Sequence, residues 1–459
     1  MYKITFSNYK FTHIYICLFS ILYGQHFPYD SFSSRLSILL NDSGKNWNSL
    51  SLYENKLYAK RSYSNNKTNF SISSKSYFNS YNKSFNFISD TYLVSENNLY
   101  AFIHVSHGNN ISNHKRIEER VQKEMYNKFK VRFSSFGYKK KWVSIELKKG
   151  AEGWGAGENI DLALSQNSKT YDYFDLNSDY GNLRVKYIHG FLEKYRGNKN
   201  RYLTARGIEW SNRSSLLLGI SETVIYSGEN RSLDIGYLNP ISSHLEIELN
   251  NRLNFLGDSS SNAVWQLHSD FIFKKKIRVS LNYLFDEFVL DPDIEIGKEH
   301  GRAYSMRFSY VLLNNKNKIL SVYWKNISIG TPTFRHGNGL NNFTQKRKPL
   351  GWIEGSDSEE ISFGVNYSNK SSIIYSIYSG KIISGGESIK LRQYDPYQDY
   401  LEGSFPSGNI NVKTFLNSYF EWWVKKGLKV YLINNLILEE ENNHSFGISY
   451  EFSRLGINI

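Results

Sequence analysis

Between Ile277 and Phe285 apolar and polar residues take turns. Ile277, Val279, Leu281, Tyr283 and Phe285 alternate with Arg278, Ser280 and Asn282, and Leu284 is the one exception. Successive side chains of a β-strand point to opposite faces, so such a segment has one apolar and one polar face. The period recurs along the chain. Ile361, Phe363, Val365 and Tyr367 alternate with Ser362, Gly364 and Asn366, and Tyr304, Met306, Phe308 and Tyr310 with Ser305, Arg307 and Ser309. The pattern predicts strands over 69–81, 85–95, 99–106, 129–137, 141–149, 182–193, 201–210, 214–227, 262–273, 276–290, 303–313, 318–329, 359–367, 371–383, 411–424, 427–438 and 444–453.

The connections between these strands alternate in length. Short ones fall at 211–213, 274–276, 314–317, 368–370 and 425–427, and long ones at 228–261, 291–302, 330–358 and 384–410. Short periplasmic turns and long outer loops are the habit of outer-membrane barrels, which take an even number of strands. Directions counted from the two ends clash between residues 150 and 181, and one more strand there removes the clash. Ile160, Leu162 and Leu164 alternate with Asp161, Ala163 and Ser165, so 160–165 is the candidate. The expected fold is an all-β transmembrane antiparallel barrel of about eighteen strands with both termini in the periplasm. A few short helices are expected as a periplasmic or lumenal plug. One is the amphipathic stretch 113–128, with Asn113 as cap and Ile117, Val121 and Met125 on one face. Within the long 228–261 loop, residues 235–249 are expected to fold inward and obstruct the lumen.

Composition fits this reading. The 459 residues have a mean hydropathy of −0.49 and include 35 Tyr and 29 Phe. That is too polar for a helical membrane protein, but a barrel shows lipid only every second strand residue. Residues 1–24 read as a signal peptide, with Lys3 and Lys10 flanking the apolar run from Phe11 to Tyr23 and Gly24 at the cleavage point. This predicts export to the outer membrane of a Gram-negative bacterium. Residues 25–66 then form a periplasmic segment with a short helix over 31–40, and 67–459 form the barrel. Cys17, the single cysteine, lies in the leader, so the mature chain holds no disulfide and no thiol nucleophile.

No His-Glu-x-x-His, paired metal ligands or nucleophile elbow occurs, so a non-catalytic protein without cofactor or metal is expected. Gly153-x-Gly155-x-Gly157 lacks the following Lys-Ser/Thr of a phosphate loop. Arg184, Lys186, Arg206, Arg278 and Arg307 are expected to face the lumen and make it basic. Two outer loops mix aromatics with cations: Arg335, His336, Lys346, Arg347, Lys348 and Trp352 in one, Arg392, Tyr394, Asp395, Tyr397 and Asp399 in the other. Such a mixture can hold an acidic polysaccharide by stacking and ion pairing, or can meet lipopolysaccharide.

Trp154-Gly155-x-Gly157 followed by Leu162-x-Leu164-Ser165-x-Asn167 resembles the central motif of the Wzi family of capsule-assembly outer-membrane proteins. Further pieces follow in the same order: Leu216–Gly219 through Ser221-Glu222, Tyr283–Asp286 with Asp291, Pro349-Leu350-Gly351 with Gly355 and Asp357, and Phe405-Pro406-Ser407-Gly408. The resemblance implies a plugged barrel that binds capsular or other surface polysaccharide and anchors or helps assemble a capsule, and a monomer is expected. It makes Trp154, Glu158, Asn167, Trp352, Arg392, Tyr394 and Tyr397 the candidate polysaccharide contacts. Trp154 has two readings, a stacking platform for a sugar ring or a packing residue of girdle or plug. The competing functions are a porin or solute channel and, with no motif behind it, a lipid-modifying enzyme.

Overall fold

The computed structural model describes residues 69–79, 84–95, 97–108, 128–140, 142–249, 261–287, 297, 299–396, 403–425, 428–438 and 443–458. The expected leader, the 25–66 segment and the 113–128 helix (save Lys128) lie outside them.

Eighteen antiparallel strands form one sheet. In order they are β1 (Asn69–Asn79), β2 (Ser84–Val94), β3 (Leu99–Gly108), β4 (Lys128–Lys139), β5 (Val143–Gly150), β6 (Tyr171–Asp179), β7 (Leu183–Tyr195), β8 (Lys199–Ser211), β9 (Leu216–Glu229), β10 (Ser261–Phe273), β11 (Ile277–Glu287), β12 (Gly301–Asn314) and β13 (Ile319–Ile329). A two-residue ladder, β14 (Thr344–Gln345) with β15 (Lys348–Pro349), interrupts the series. The sheet resumes with β16 (Ser358–Ser368), β17 (Ile373–Ser384), β18 (Asn411–Lys425), β19 (Leu428–Ile437) and β20 (Asn443–Asn458). Each strand pairs with the next, and β20 returns to pair with β1, so the ring of pairings is complete. Every long connection leaves the end opposite the termini, and the terminal end carries only short turns.

The wall is inside-out relative to a soluble protein. On β11, Ser280 and Asn282 are buried while Leu281 and Tyr283 are exposed; on β16, Ser362 is buried and Phe363 exposed. Apolar side chains that face outward and polar ones that face inward are what a lipid-bathed barrel requires. No helix among the described residues is long and apolar enough to cross a membrane.

Toward the long-loop end the inward face changes character. Ile188, Leu203, Ile225, Val264, Leu284, Ala303, Ile327 and Ile329 point into the lumen there and join one core with Trp154, Ile160, Leu162, Leu164, Phe334, Phe343, Leu350, Trp352 and Ile389. The second group comes from the connections β5–β6, β13–β16 and β17–β18. The lumen is therefore plugged at that end by three inward-folded loops with an apolar centre.

Three expectations are corrected. The missing strand is Tyr171–Asp179, not 160–165; Ile160, Leu162 and Leu164 alternate because they pack in the plug. The described helices, Ile235–Leu238 and His244–Leu249, do not plug the lumen. They lie against the outside of the wall, where Tyr237 and Ile247 pack with the outward-facing Tyr202, Val224, Tyr226 and Ala263. Arg206 faces outward under this strap, since it shares its strand face with the exposed Ile208 and Trp210. Of the other expected cations, Arg184 pairs with Asp179, Lys186 with Glu152 and Arg278 with Asp270, while Arg307 donates to Ser309 Oγ and Glu158 O; the inward Lys325 and Lys429 pair with Glu360 and Glu421. Among the described residues the inward cations are thus mostly ion-paired.

Candidate functional site

The plug is tied together by backbone hydrogen bonds within its first loop and between that loop and the β13–β16 loop. Trp154 N donates to Leu164 O (3.1 Å), Ser165 N to Leu350 O (2.8 Å) and Trp352 N to Leu162 O (3.3 Å). Gly351 is required at this crossing, because a Cβ there would collide with the Leu162 carbonyl. Asp357 gathers the third loop: its carboxylate accepts from Thr331 Oγ1 (2.9 Å), Ser407 N (2.8 Å), Ser407 Oγ (2.7 Å) and Glu387 N (3.0 Å).

The wall grips the plug through a few polar side chains. Asn282 donates to Ala156 O (2.9 Å) and accepts from Ala156 N (2.7 Å), and Ser305 Oγ donates to Ile160 O (2.6 Å). Lys186 Nζ lies 2.7 Å from Glu152, which also accepts from the Tyr173 hydroxyl. Arg201, fully buried, spreads its guanidinium over one turn of the β13–β16 loop. It donates to Leu340 O (2.6 Å), Asn342 O (2.8 Å) and Thr344 O (3.0 Å), and pairs with Glu193 (2.8 Å).

Above Arg201 the plug reaches the rim. The Tyr394 ring lies 5.0 Å from the guanidinium and its hydroxyl donates to Glu193. Its outer neighbour is Tyr195, at 4.7 Å between ring centres. Arg347 N donates to the Tyr394 hydroxyl (3.1 Å) and Lys346 N to Glu193 (3.2 Å). Burial pushes the Tyr394 phenol up to about 12, with Arg201 opposing and Glu193 reinforcing. Around this half-buried aromatic pair Lys194, Arg196, Lys346 and Arg347 are exposed. Such an arrangement offers ring faces flanked by cations to an anionic ligand.

The sequence-derived candidates are distributed unevenly. Tyr394 sits in the rim. Arg392 is close by in sequence and is held by Glu387 and Asp395 (3.2 Å). Trp154 is 1% exposed and lies 5.8 Å from Lys186 Nζ, so its ring packs the plug and has no free face. Trp352 is buried in the same core. Glu158 is half-buried, its carbonyl accepting from Arg307 (3.3 Å), and Asn167 is exposed at the end of the first plug loop. Tyr397 lies outside the described residues. The sequence reading missed Tyr195, Arg196, Glu193 and Arg201. The mixture of Tyr195, Lys194 and Arg196 in one turn was the available signal, but only folding brings that turn against Tyr394.

No protein-family model and no curated protein matches the sequence. Among solved structures the chain is similar to Wzi of Escherichia coli, described as an outer-membrane protein involved in group 1 capsule assembly and a carbohydrate-binding β-barrel. The TM-score is 0.57 at 11% identity, over 86% of this chain and 85% of that one. It also matches OccAB4 of Acinetobacter baumannii (TM-score 0.45, 9% identity, 85% of this chain and 98% of that one). A third is OccK10 of Pseudomonas aeruginosa (TM-score 0.42, 10% identity, 83% and 97%). The likeness to Wzi is one of fold. This chain folds as an outer-membrane β-barrel. Of the segments singled out in the sequence, 154–165 and 350–352 bond to each other in the plug and Asp357 holds Ser407, whereas 216–222 lies in β9 and 283–286 in β11, from which Asp286 accepts from Phe334 N.

Proposed function

We propose that this barrel is a non-catalytic surface receptor that holds an acidic polysaccharide at its long-loop end, its lumen closed by the plug. The observation that carries the reading is the rim: the Tyr195–Tyr394 ring pair 4.7 Å apart, with Lys194, Arg196, Lys346 and Arg347 exposed around it. Each sugar contact is worth little, because a hydroxyl exchanges hydrogen bonds with water for hydrogen bonds with protein. A long polymer is retained by many weak repeats acting together, on one barrel or on several. The fold likeness to a carbohydrate-binding barrel supports the same reading. The apolar centre of the plug, where Ile160, Leu162, Leu164, Phe343 and Leu350 are buried together, supports retention over conduction.

Two measurements test this. Purified protein is titrated with an acidic polysaccharide (alginate) and a neutral one (dextran) at low and high salt. The reading requires binding of the acidic polymer that weakens with salt and is lost in Tyr394→Ala. Equal binding of both polymers, insensitive to salt, removes it. Planar-bilayer recording separates the porin: large steady currents favour a channel, near-zero conductance the receptor.

A further inference from the structure

The strap formed by residues 231–249 covers a place where the wall breaks the rule of the rest of the barrel. One row of the sheet runs Tyr187–Arg206–Glu222–Trp265–Phe285 across five strands. On β10 and β11 it carries Trp265 and Phe285, rings suited to a membrane girdle. On β8 and β9 it carries an ion pair, Arg206 Nε to Glu222 at 3.1 Å. These side chains share their strand faces with the exposed Ile208, Ile220 and Leu267, so they point out of the barrel. Charges facing acyl chains are costly.

The strap removes that cost. Arg206 donates to Asn239 O (3.1 Å), and His244 N donates to Glu222 (3.0 Å). Tyr226 of the wall stacks on Tyr237 of the strap at 4.6 Å, and Tyr187 donates to Tyr237 O (2.7 Å). The strap's other side is apolar: Leu233 is 48% exposed, Leu238 41%, Ile235 81% and Ile241 88%. The exposed residues between 232 and 243 are Ser232, Leu233, Ile235, Leu238, Asn239, Pro240 and Ile241, and none is charged. The rim at the same end of the barrel, by contrast, exposes Lys194, Arg196, Lys346 and Arg347.

Height places this surface. β9 starts at Leu216 on the short-turn end, and Glu222 and Tyr226 lie further along it. At a rise of about 3.4 Å per residue and a tilt of about 40° they stand roughly 16 and 26 Å above it, which puts Glu222 in the far half and Tyr226 at the outer edge of an apolar band about 25 Å tall. The strap's outer face is thus continuous with the lipid-facing wall.

We propose that the strap is a membrane-embedded facing of the barrel: Leu233, Ile235, Leu238 and Ile241 insert among the acyl chains of the leaflet at the long-loop end. They stand in for the apolar side chains that β8 and β9 lack at the Arg206–Glu222 row. The polar row beneath is a sealed layer between strap and wall.

The test uses the full chain with Cys17→Ser, so that an introduced thiol is unique. Ile241→Cys carries an environment-sensitive fluorophore in phosphatidylcholine–phosphatidylglycerol vesicles. Leu267→Cys on the bare wall and Arg347→Cys on the rim are the references, and heat-modifiable gel mobility confirms folding of each. If Ile241→Cys does not fold, Ile235→Cys replaces it. The expected result is a blue-shifted emission, quenched by acyl-chain nitroxide lipids and shielded from iodide, as at position 267. Iodide quenching equal to that at 347 puts the strap in water and overturns the proposal. Disulfide cross-linking of two unlabelled Ile241→Cys copies in the membrane also overturns it, by showing that a second copy occupies the face.

Discussion

Replacing Arg201 with Met should undock the plug loop without opening the wall. The substitution leaves three carbonyl oxygens, of Leu340, Asn342 and Thr344, and the Glu193 carboxylate without their buried cation. Removing one partner of a buried charged network costs about 3–5 kcal/mol. At about 1.4 kcal/mol per tenfold, the docking equilibrium of that loop shifts roughly a hundredfold to a few thousandfold toward the open form. The wall is affected less, because its ladder hydrogen bonds between β7, β8 and β9 remain. Trypsin reports the shift. Lys346 and Arg347 sit in a docked turn with positive φ, 47° and 66°, which a protease cannot accommodate until the loop opens. When opening is fast relative to cleavage, the rate follows the open population. Cleavage at 346–347 should therefore accelerate by about two orders of magnitude or more in Arg201→Met, with heat-modifiable mobility retained. Unchanged cleavage would show that Arg201 does not hold the plug, and a chain that loses heat-modifiability would show that plug and wall are not separable.

Other outcomes follow from the same geometry. Gly351→Val places a Cβ where Leu162's carbonyl lies and adds two methyl groups beyond it, so plug docking should weaken by about 1–3 kcal/mol, read as faster proteolysis of the loop and no loss of the barrel. Tyr394, its phenol held up to about 12, binds its proton more tightly in the folded rim than in an undocked loop; the stabilisation is complete below about pH 10 and is lost as pH rises through about 12. Proteolysis of the loop should therefore speed up across that window in the wild type, and less in Tyr394→Phe. Lys186→Met strands Glu152 and should loosen the 151–170 loop by about 3–5 kcal/mol, seen as new channel conductance; persistent silence in the bilayer would assign that ion pair no part in closure.

The wall was legible because its chemistry repeats. Seventeen of its strands show in the sequence as two-residue alternation, and the alternating loop lengths pointed to the eighteenth. That strand escaped because Tyr171 and Tyr173 face inward onto the plug while Asp172 faces outward, which reverses the expected polarity. The plug segment 160–165 imitated a strand because extended chain buried in the lumen also alternates. Arg206 was placed in the lumen on the rule that polar residues face inward, a rule that fails where the strap supplies a second layer. The rim was half legible. Its cations and Tyr394 stood out in the loops, but Glu193 faces Arg201 only because of an irregularity in the β7–β8 register between Phe191 and Glu193. No local pattern announces such a shift, nor that the 195 turn and the 394 loop would meet.

The most direct test of the receptor account is the partition of surface polysaccharide between cells and medium. A deletion strain of a capsule-forming host is complemented with the wild-type chain or with Tyr195→Ala/Tyr394→Ala, the level of folded barrel being matched by heat-modifiable mobility. The account predicts that the wild type restores cell-bound polymer and that the double variant sheds it into the medium at unchanged total. Equal cell-bound fractions in the deletion, wild-type and variant strains would contradict it.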